Sequence, residues 1–322
     1  MTSAPPKNDL IIAIPSKGRL KEQVEAWLAD CGLELAAAGG ARGYIAALKG
    51  LPDAQVRLLS AGDIAEALDA GEAHLGVTGE DLLRERGEGL DSRVLLLRGL
   101  GFGRADLVVA VPKSWLDVDT MADLEEVAHD YLARTGRRMR VATKYLAQTR
   151  AFFARHGVAD YRITESGGAT EGAPASGAAE LIVDITTTGA TLAANGLKVL
   201  SDGLILKSQA QLAASLKAAW SAGQLDAAER LLRAVEARAT ASASATLIWP
   251  ATGAARETKV VEALVAAGAS PRPHGLLIAT ERAAAAAAAL TAAGLGPVTI
   301  SRPDFVFDVV CPPLAALKKQ VL

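Results

Sequence analysis

A chain of 322 residues is long enough for two or three domains. Half of it is hydrophobic but only 4% is aromatic, so the apolar content is small and aliphatic, as in a folded α/β protein and not a disordered one. The 34 Lys and Arg are balanced by 36 Asp and Glu, for a formal charge of −2, which leaves no basic excess for a sequence-independent grip on a nucleic-acid backbone.

Any anion must therefore be held locally. Cys31 and Cys311 form no Cys-x-x-Cys pair, which excludes a disulfide scaffold and a thiolate zinc site and fits a reducing compartment. Residues 1–9 lack the apolar core of a signal peptide, and no uncharged apolar run reaches the roughly 18 residues of a membrane span. The expected location is the cytoplasm.

From Leu10 onward, short β-branched runs alternate with amphipathic helical patterns, the signature of parallel strands joined by helical crossovers. The pattern predicts a strand over 10–15, then a helix carrying Leu20, Val24, Trp27, Leu28 and Cys31 on its core face, with Gly32 at its C-cap. Strands follow over 56–59 and 75–77, with a helix over 63–70 between them ended by Gly71. Two apolar runs, 94–97 and 107–111, flank Gly99-Leu-Gly-Phe-Gly103, which reads as a hinged passage between two lobes. Beyond it come a helix over 121–134, a strand over 140–142, a helix over 149–156, a strand over 161–164, a glycine-rich loop over 166–177 and a strand over 181–185.

Near Gly223 the texture changes, and a domain boundary is expected there. Residues 225–239 read as a charged amphipathic helix and 240–245 as a polar break. The tail then reads as a strand over 246–250, a helix over 256–267, a strand over 275–280, a helix over 281–293 and a hairpin of 298–301 with 305–310. The run of seven alanines at 283–289 fits one thin helix packed close to a sheet. Together these elements describe a small two-layer α+β module.

The sharpest chemical signal is Val183-Asp-Ile-Thr-Thr-Thr-Gly-Ala-Thr-Leu192, an apolar strand ending in an acid, then small hydroxylated residues, then a helix beginning near Ala190. Small side chains let backbone amides point at a phosphate, Thr hydroxyls add donors, and the helix start adds partial positive charge. An acid at Asp184 suits sugar hydroxyls or a magnesium ion, so the pattern reads as a site for phosphorylated ribose; the alternative is an N-capping turn. Ser16-Lys-Gly-Arg-Leu20 places Lys17 and Arg19 at a helix start, against the helix dipole. A bound polyphosphate would remove that conflict, and a solvated basic turn is the competing reading.

At this point the chain resembles the ATP phosphoribosyltransferase family, in its long form, over about residues 10–215. The resemblance rests on Ser16 to Leu20, on Gly71-Glu-Ala-His-Leu-Gly-Val-Thr-Gly-Glu-Asp81, on Arg140-Val-Ala-Thr-Lys-Tyr145, on Gly168-Ala-Thr-Glu-Gly-Ala-Pro174, and on Val183 through Leu197, in the family's order. It implies an α/β core of two lobes of the periplasmic-binding-protein type (type II), followed by a small ferredoxin- or ACT-like α+β domain. Lobe one would comprise 1–103 plus 198–223, lobe two 104–197 and the regulatory domain 224–322, although the tail's predicted element order departs from the family's.

The implied reaction joins ATP, through adenine N1, to phosphoribosyl pyrophosphate, giving phosphoribosyl-ATP and pyrophosphate in the first step of histidine biosynthesis. Histidine is the implied feedback inhibitor, and the implied assembly is a homo-oligomer, from dimer to hexamer. By the same resemblance Thr186, Thr187, Thr188, Gly189, Ala190, Thr191 and Leu192 cradle the 5′-phosphate. Asp184 and Glu171 face the ribose as the catalytic acids and share Mg2+ with the substrate. Lys17, Gly18 and Arg19 meet pyrophosphate and ATP phosphates, Gly79 and Glu80 line the cleft on the first lobe, and Tyr145 is an aromatic beside the site.

Two positions depart from the family pattern. Ser60-Ala-Gly-Asp63 lacks a basic residue that relatives often carry, so that one phosphate contact is either missing or supplied by Arg57, and His74 stands where relatives usually have Asp. A solvated or capping role is expected of His74. The readings that compete with the family's reaction are a non-enzymatic two-lobed binding protein and a phosphoribosyltransferase acting on a different base.

Overall fold

The computed structural model describes residues 9–37, 45–253 and 255–322; the amino-terminal segment read above for a targeting signal lies almost wholly outside them. In the first lobe the elements are β1 (Leu10–Pro15), α1 (Gly18–Asp30), β2 (Leu35–Ala37), β3 (Ile45–Leu48), β4 (Leu51–Leu59), α2 (Ala61–Ala70), β5 (Leu75–Gly79), α3 (Glu80–Arg84) and β6 (Val94–Gly99). The chain then crosses to β7 (Ala105–Pro112), α4 (Met121–Thr135), β8 (Met139–Thr143), α5 (Leu146–Arg155), β9 (Tyr161–Glu165), β10 (Leu181–Thr186), α6 (Ala190–Ala194) and β11 (Leu197–Ser208). It returns through β12 (Ala210–Ser215) and α7 (Ala222–Ala243).

The first sheet has the order β2-β3-β4-β1-β5-β12-β6, and the second β11-β7-β10-β8-β9. Each contains one antiparallel strand donated by chain arriving from the other lobe: β12 between β5 and β6, and β7 between β10 and β11. This is the two-lobed periplasmic-binding-protein arrangement. β1 is apolar along its whole length because it is paired in parallel with β4 and β5 and covered on both faces.

The return to the first lobe comes later than expected. Residues 197–208 do not rejoin the first lobe at 198 but pair antiparallel with β7, so the crossing falls at Ser208 to Ala210. The boundary expected at Gly223 lies inside α7, whose N-terminus is closed by a reciprocal Ser221–Gln224 capping box. Leu225, Leu231, Leu232 and Val235 of α7 pack into the same core as Leu10, Ile12 and Val56. The polar stretch expected as a break, 240–245, is helical to Ala243, with Ala241 buried one turn after buried Ala237 on the same helix face.

The tail continues as β13 (Ser244–Ile248), α8 (Ala255–Ala266), β14 (Ser270–Arg272), β15 (Gly275–Ala279), α9 (Ala283–Ala292), β16 (Thr299–Ser301) and α10 (Pro312–Val321). Its sheet order β14-β15-β13-β16, all antiparallel, is the βαββαβ ferredoxin-like arrangement. The hairpin expected from 298–301 and 305–310 is absent. Residues 299–301 pair with β13, while the following stretch runs across α7, with the Val306 amide donating to the Ala237 carbonyl. α10 then packs on α7 and β6, burying Leu314 and Leu317 in the first lobe's core.

Candidate active site

The threonine loop leaves β10 at its carboxyl end, where open α/β sheets present ligands. With Ala105, Glu171 and Asp184 it lines a cavity of about 260 Å³. The Thr186 hydroxyl accepts from the Gly189 amide at 2.9 Å and the Thr187 hydroxyl donates to the Arg104 carbonyl at 3.3 Å, so the loop's shape is set from within and from the crossover. The amides of Thr187, Thr188 and Thr191 have no acceptor among the described residues. α6 is only five residues long, so loop amides and hydroxyls supply the positive field there and the helix dipole adds little.

Asp184 is half-buried and accepts from its neighbour's amide, Ile185 N, at 2.8 Å. Burial raises its carboxyl above the ordinary range; the Ile185 amide, Lys144 and the Thr170 hydroxyl oppose this, and the nearby Glu171 charge adds to it. Glu171 sits on a single turn, Thr170–Gly172, entered through Ala169 at φ 50°, a left-handed conformation that costs a non-glycine residue about 1 kcal/mol. An adjoining cavity of about 430 Å³ shares Ala105, Thr186 and Thr187 and adds Arg104 and Lys207, neither in an ion pair among the described residues. Lys144, Arg104 and Lys207 were missed by sequence reasoning. Lys144 was legible as a cation directly after a strand's carboxyl end, whereas the other two become neighbours only through the crossovers.

On the first lobe, Lys17 caps α1 without a side-chain hydrogen bond, and no acidic residue stands in the helix's first turn. Lys17, Gly18 and Arg19 are exposed, and neither cation is ion-paired among the described residues. Leu20, one residue on, lies against Gly103 of the crossover, which sets this turn beside the passage between lobes. Glu80 is held by Arg84 at 2.8 Å and by the Gln211 amide at 2.8 Å. Gly79 admits no side chain because a Cβ there would collide with the Asp81 carboxylate.

Three expected roles change. Arg57 donates to the Glu72 carbonyl at 3.1 Å, at the opposite end of β5 from Gly79, and does not join the cleft residues. His74 is not solvated: it is 6% exposed, its Nδ1 accepts from the Ile11 amide at 3.1 Å and its Nε2 faces the Ala219 carbonyl at 3.1 Å. That pairing fixes the neutral Nε2–H tautomer, and desolvation lowers its pKa. Tyr145 is fully buried, with its hydroxyl donating to Asp81 Oδ2 at 2.6 Å, so it underlies the site without facing it. Its phenol is pushed far up by burial and by Asp81.

The hinge expected at 99–103 is laced to the second crossing. Leu100 N donates to the Ala210 carbonyl and Ala210 N to the Phe102 carbonyl, both at 2.9 Å, and the Gln209 side chain accepts from Gly101 N at 2.9 Å. Among the described residues no group of three or more His, Cys, Asp or Glu is placed to hold a metal ion, and no helix is long and apolar enough to cross a membrane.

A family model described as ATP phosphoribosyltransferase matches residues 60–237. A relative of that name from Caulobacter vibrioides (strain NA1000 / CB15N) is 70% identical over 299 residues, covering 93% of each chain. Another from Nitrobacter winogradskyi is 51% identical over 306 residues, covering 93% of this chain and 94% of the relative. Among solved structures, the ATP phosphoribosyl transferase (HisG:HisZ) complex from Thermotoga maritima superposes with a TM-score of 0.54 at 25% identity, covering 70% of this chain and 98% of that one. On the family match and on these identities, the chain belongs to the ATP phosphoribosyltransferase family.

Proposed function

We propose that the cleft holds ATP between the lobes and phosphoribosyl pyrophosphate on the second lobe, the 5′-phosphate of phosphoribosyl pyrophosphate lying in the threonine loop. As a member of this family the chain transfers the phosphoribosyl group to ATP, in the first step of histidine biosynthesis. Adenine N1 attacks the anomeric carbon with its own lone pair while the bond from that carbon to pyrophosphate breaks, and the products are phosphoribosyl-ATP and pyrophosphate. N1 needs no strong general base, so the work is electrostatic and positional.

The observation carrying this reading is that half-buried Asp184 and Glu171 line one cavity with the threonine loop, whose Thr187, Thr188 and Thr191 amides have no acceptor among the described residues. Carboxylates so placed suit ribose hydroxyls and the positive charge developing on the ring. Lys17 and Arg19 face the polyphosphates. Two carboxylates without further ligands suit Mg2+ only when substrate phosphates complete its shell, so Asp184 and Glu171 would hold it; when bound, it neutralises charge gathering on the leaving oxygens.

Feedback inhibition by histidine bound at the ferredoxin-like tail, and assembly into dimers or hexamers, belong to the same proposal. The deciding assay mixes ATP, phosphoribosyl pyrophosphate and Mg2+ and follows phosphoribosyl-ATP by absorbance; no product overturns the reading. Asp184→Ala and Thr188→Val are expected to abolish phosphoribosyl pyrophosphate binding by calorimetry, and unchanged affinity in both refutes the cradle. Histidine titrated into the whole chain should release heat and slow turnover, and light scattering reads the oligomer.

A further inference from the structure

The two lobes are joined by more than their crossovers. Asp81, 5% exposed, accepts the Tyr145 hydroxyl on Oδ2 at 2.6 Å and the Ser208 hydroxyl on Oδ1 at 2.7 Å, while its own amide donates back to Ser208 Oγ at 3.0 Å. One carboxylate of the first lobe thus ties the start of α5 in the second lobe to the returning crossover. One turn further on, Glu85 accepts from the free amides at the start of α5, Ala147 N at 2.7 Å and Gln148 N at 3.2 Å. The Gln148 side chain completes the contact by donating to the Asp81 carbonyl at 2.9 Å. A helix of one lobe is thereby capped by a carboxylate of the other.

Rotation about the crossovers alone would pull Tyr145 from Asp81 and the α5 amides from Glu85, leaving a buried carboxylate, a buried hydroxyl and two helix-end amides short of partners. The cleft is therefore held at a defined opening. Neighbours in the chain carry the candidate chemistry: Gly79 and Glu80 precede Asp81, and Lys144, whose charge acts on Asp184, precedes Tyr145.

We propose that the Asp81–Tyr145–Ser208 hydrogen bonds and the Glu85 cap on α5 form an interlobe pin, with Tyr145 as a positioning residue for phosphoribosyl transfer. The pin fixes the second lobe's threonine loop against the first lobe's Lys17–Arg19 turn, so that the two substrates meet in register. A misplacement of about 1 Å can cost about 100-fold in rate without a contact to either substrate being lost. This inference rests on the substrate placement proposed above.

The test compares wild type with Tyr145→Phe and with Glu85→Gln, the second being half-exposed and so the safer fold. Each variant is expected to lose about 10- to 100-fold in kcat with either KM within about threefold. Spin labels on exposed Glu22→Cys and Asp130→Cys read the interlobe distance, the native cysteines being buried. The wild-type distribution should be narrow, and both variants should broaden it. A kcat within twofold of wild type, a loss confined to KM, or an unchanged distance distribution overturns the pin, even if melting falls. Absence of product from wild type would sink the proposed function instead, while the distance measurement would still judge the pin.

Discussion

Gly71 ends α2 in the left-handed conformation, φ 83°, and its α-carbon faces backbone: a Cβ there would lie 2.9 Å from the Lys217 carbonyl carbon and oxygen. Gly136 ends α4 in the same way at φ 67°, with nothing within 4 Å of such a Cβ. Gly136→Ala therefore carries only the left-handed cost, about 1–2 kcal/mol. Gly71→Ala adds an overlap with backbone that cannot rotate aside, about 1–3 kcal/mol more. At about 2.1 cal/mol/K of unfolding entropy per residue, 1 kcal/mol is worth about 1.5 °C in a chain of 322 residues, so Gly136→Ala should lower the melting temperature by about 1.5–3 °C. Gly71→Ala should lower it by about 3–8 °C. Calorimetric scans of the two variants side by side make the comparison. Equal losses would refute the claim that the approach of residues 217–218 makes glycine obligatory at 71.

Burial depresses the His74 pKa below its ordinary 6.5, so its contribution is present above pH 6.5 and is lost as pH falls through the folded value. Urea unfolding at pH 7.5 and 5.5 should show wild type losing more stability than His74→Gln; equal losses refute this. Asp184 has the opposite sign for a carboxyl, because desolvation raises it and its ionisation at neutral pH costs stability. Asp184→Asn should melt higher than wild type at pH 7.5, the gap closing near pH 3.8, and a lower melting point at pH 7.5 contradicts the assignment. Lys17→Met removes an unpaired cation from a helix start, so it should weaken pyrophosphate binding about 10-fold or more. Melting should hold or rise slightly, and unchanged pyrophosphate affinity by calorimetry refutes a phosphate role.

Strands with strong β-branched runs were legible where they lie: β1, β5, β7, β8 and β10 all sit at or within a residue or two of their apolar segments. β2, β3 and β14 were not, since three or four residues such as Ser-Pro-Arg carry no periodicity and exist only because a partner strand is already there. α7 hid its last turn behind Thr and Ser, whose local preference for breaks was overridden by the burial of Ala237 and Ala241 on one face of the helix. In the site, the threonine loop and Asp184 were readable because one continuous segment builds them. Asp81 was not singled out, because its value comes from Tyr145 and Ser208, 64 and 127 residues away in sequence. Arg57 failed for the same reason in reverse: a cation at the right place along the chain points at the wrong end of its strand.

α10 returns the chain to the lobe from which α7 leaves. Topologically the βαββαβ unit is thus an insertion with two anchors, not a pendant. A displacement inside it reaches the first sheet through both α7 and α10, which turns a small internal shift into a twist and not a loose swing. For protein engineering, the unit should be exchangeable as a cassette between Ala243 and Pro312, whereas cutting the chain at either anchor would strip apolar cover from the first lobe.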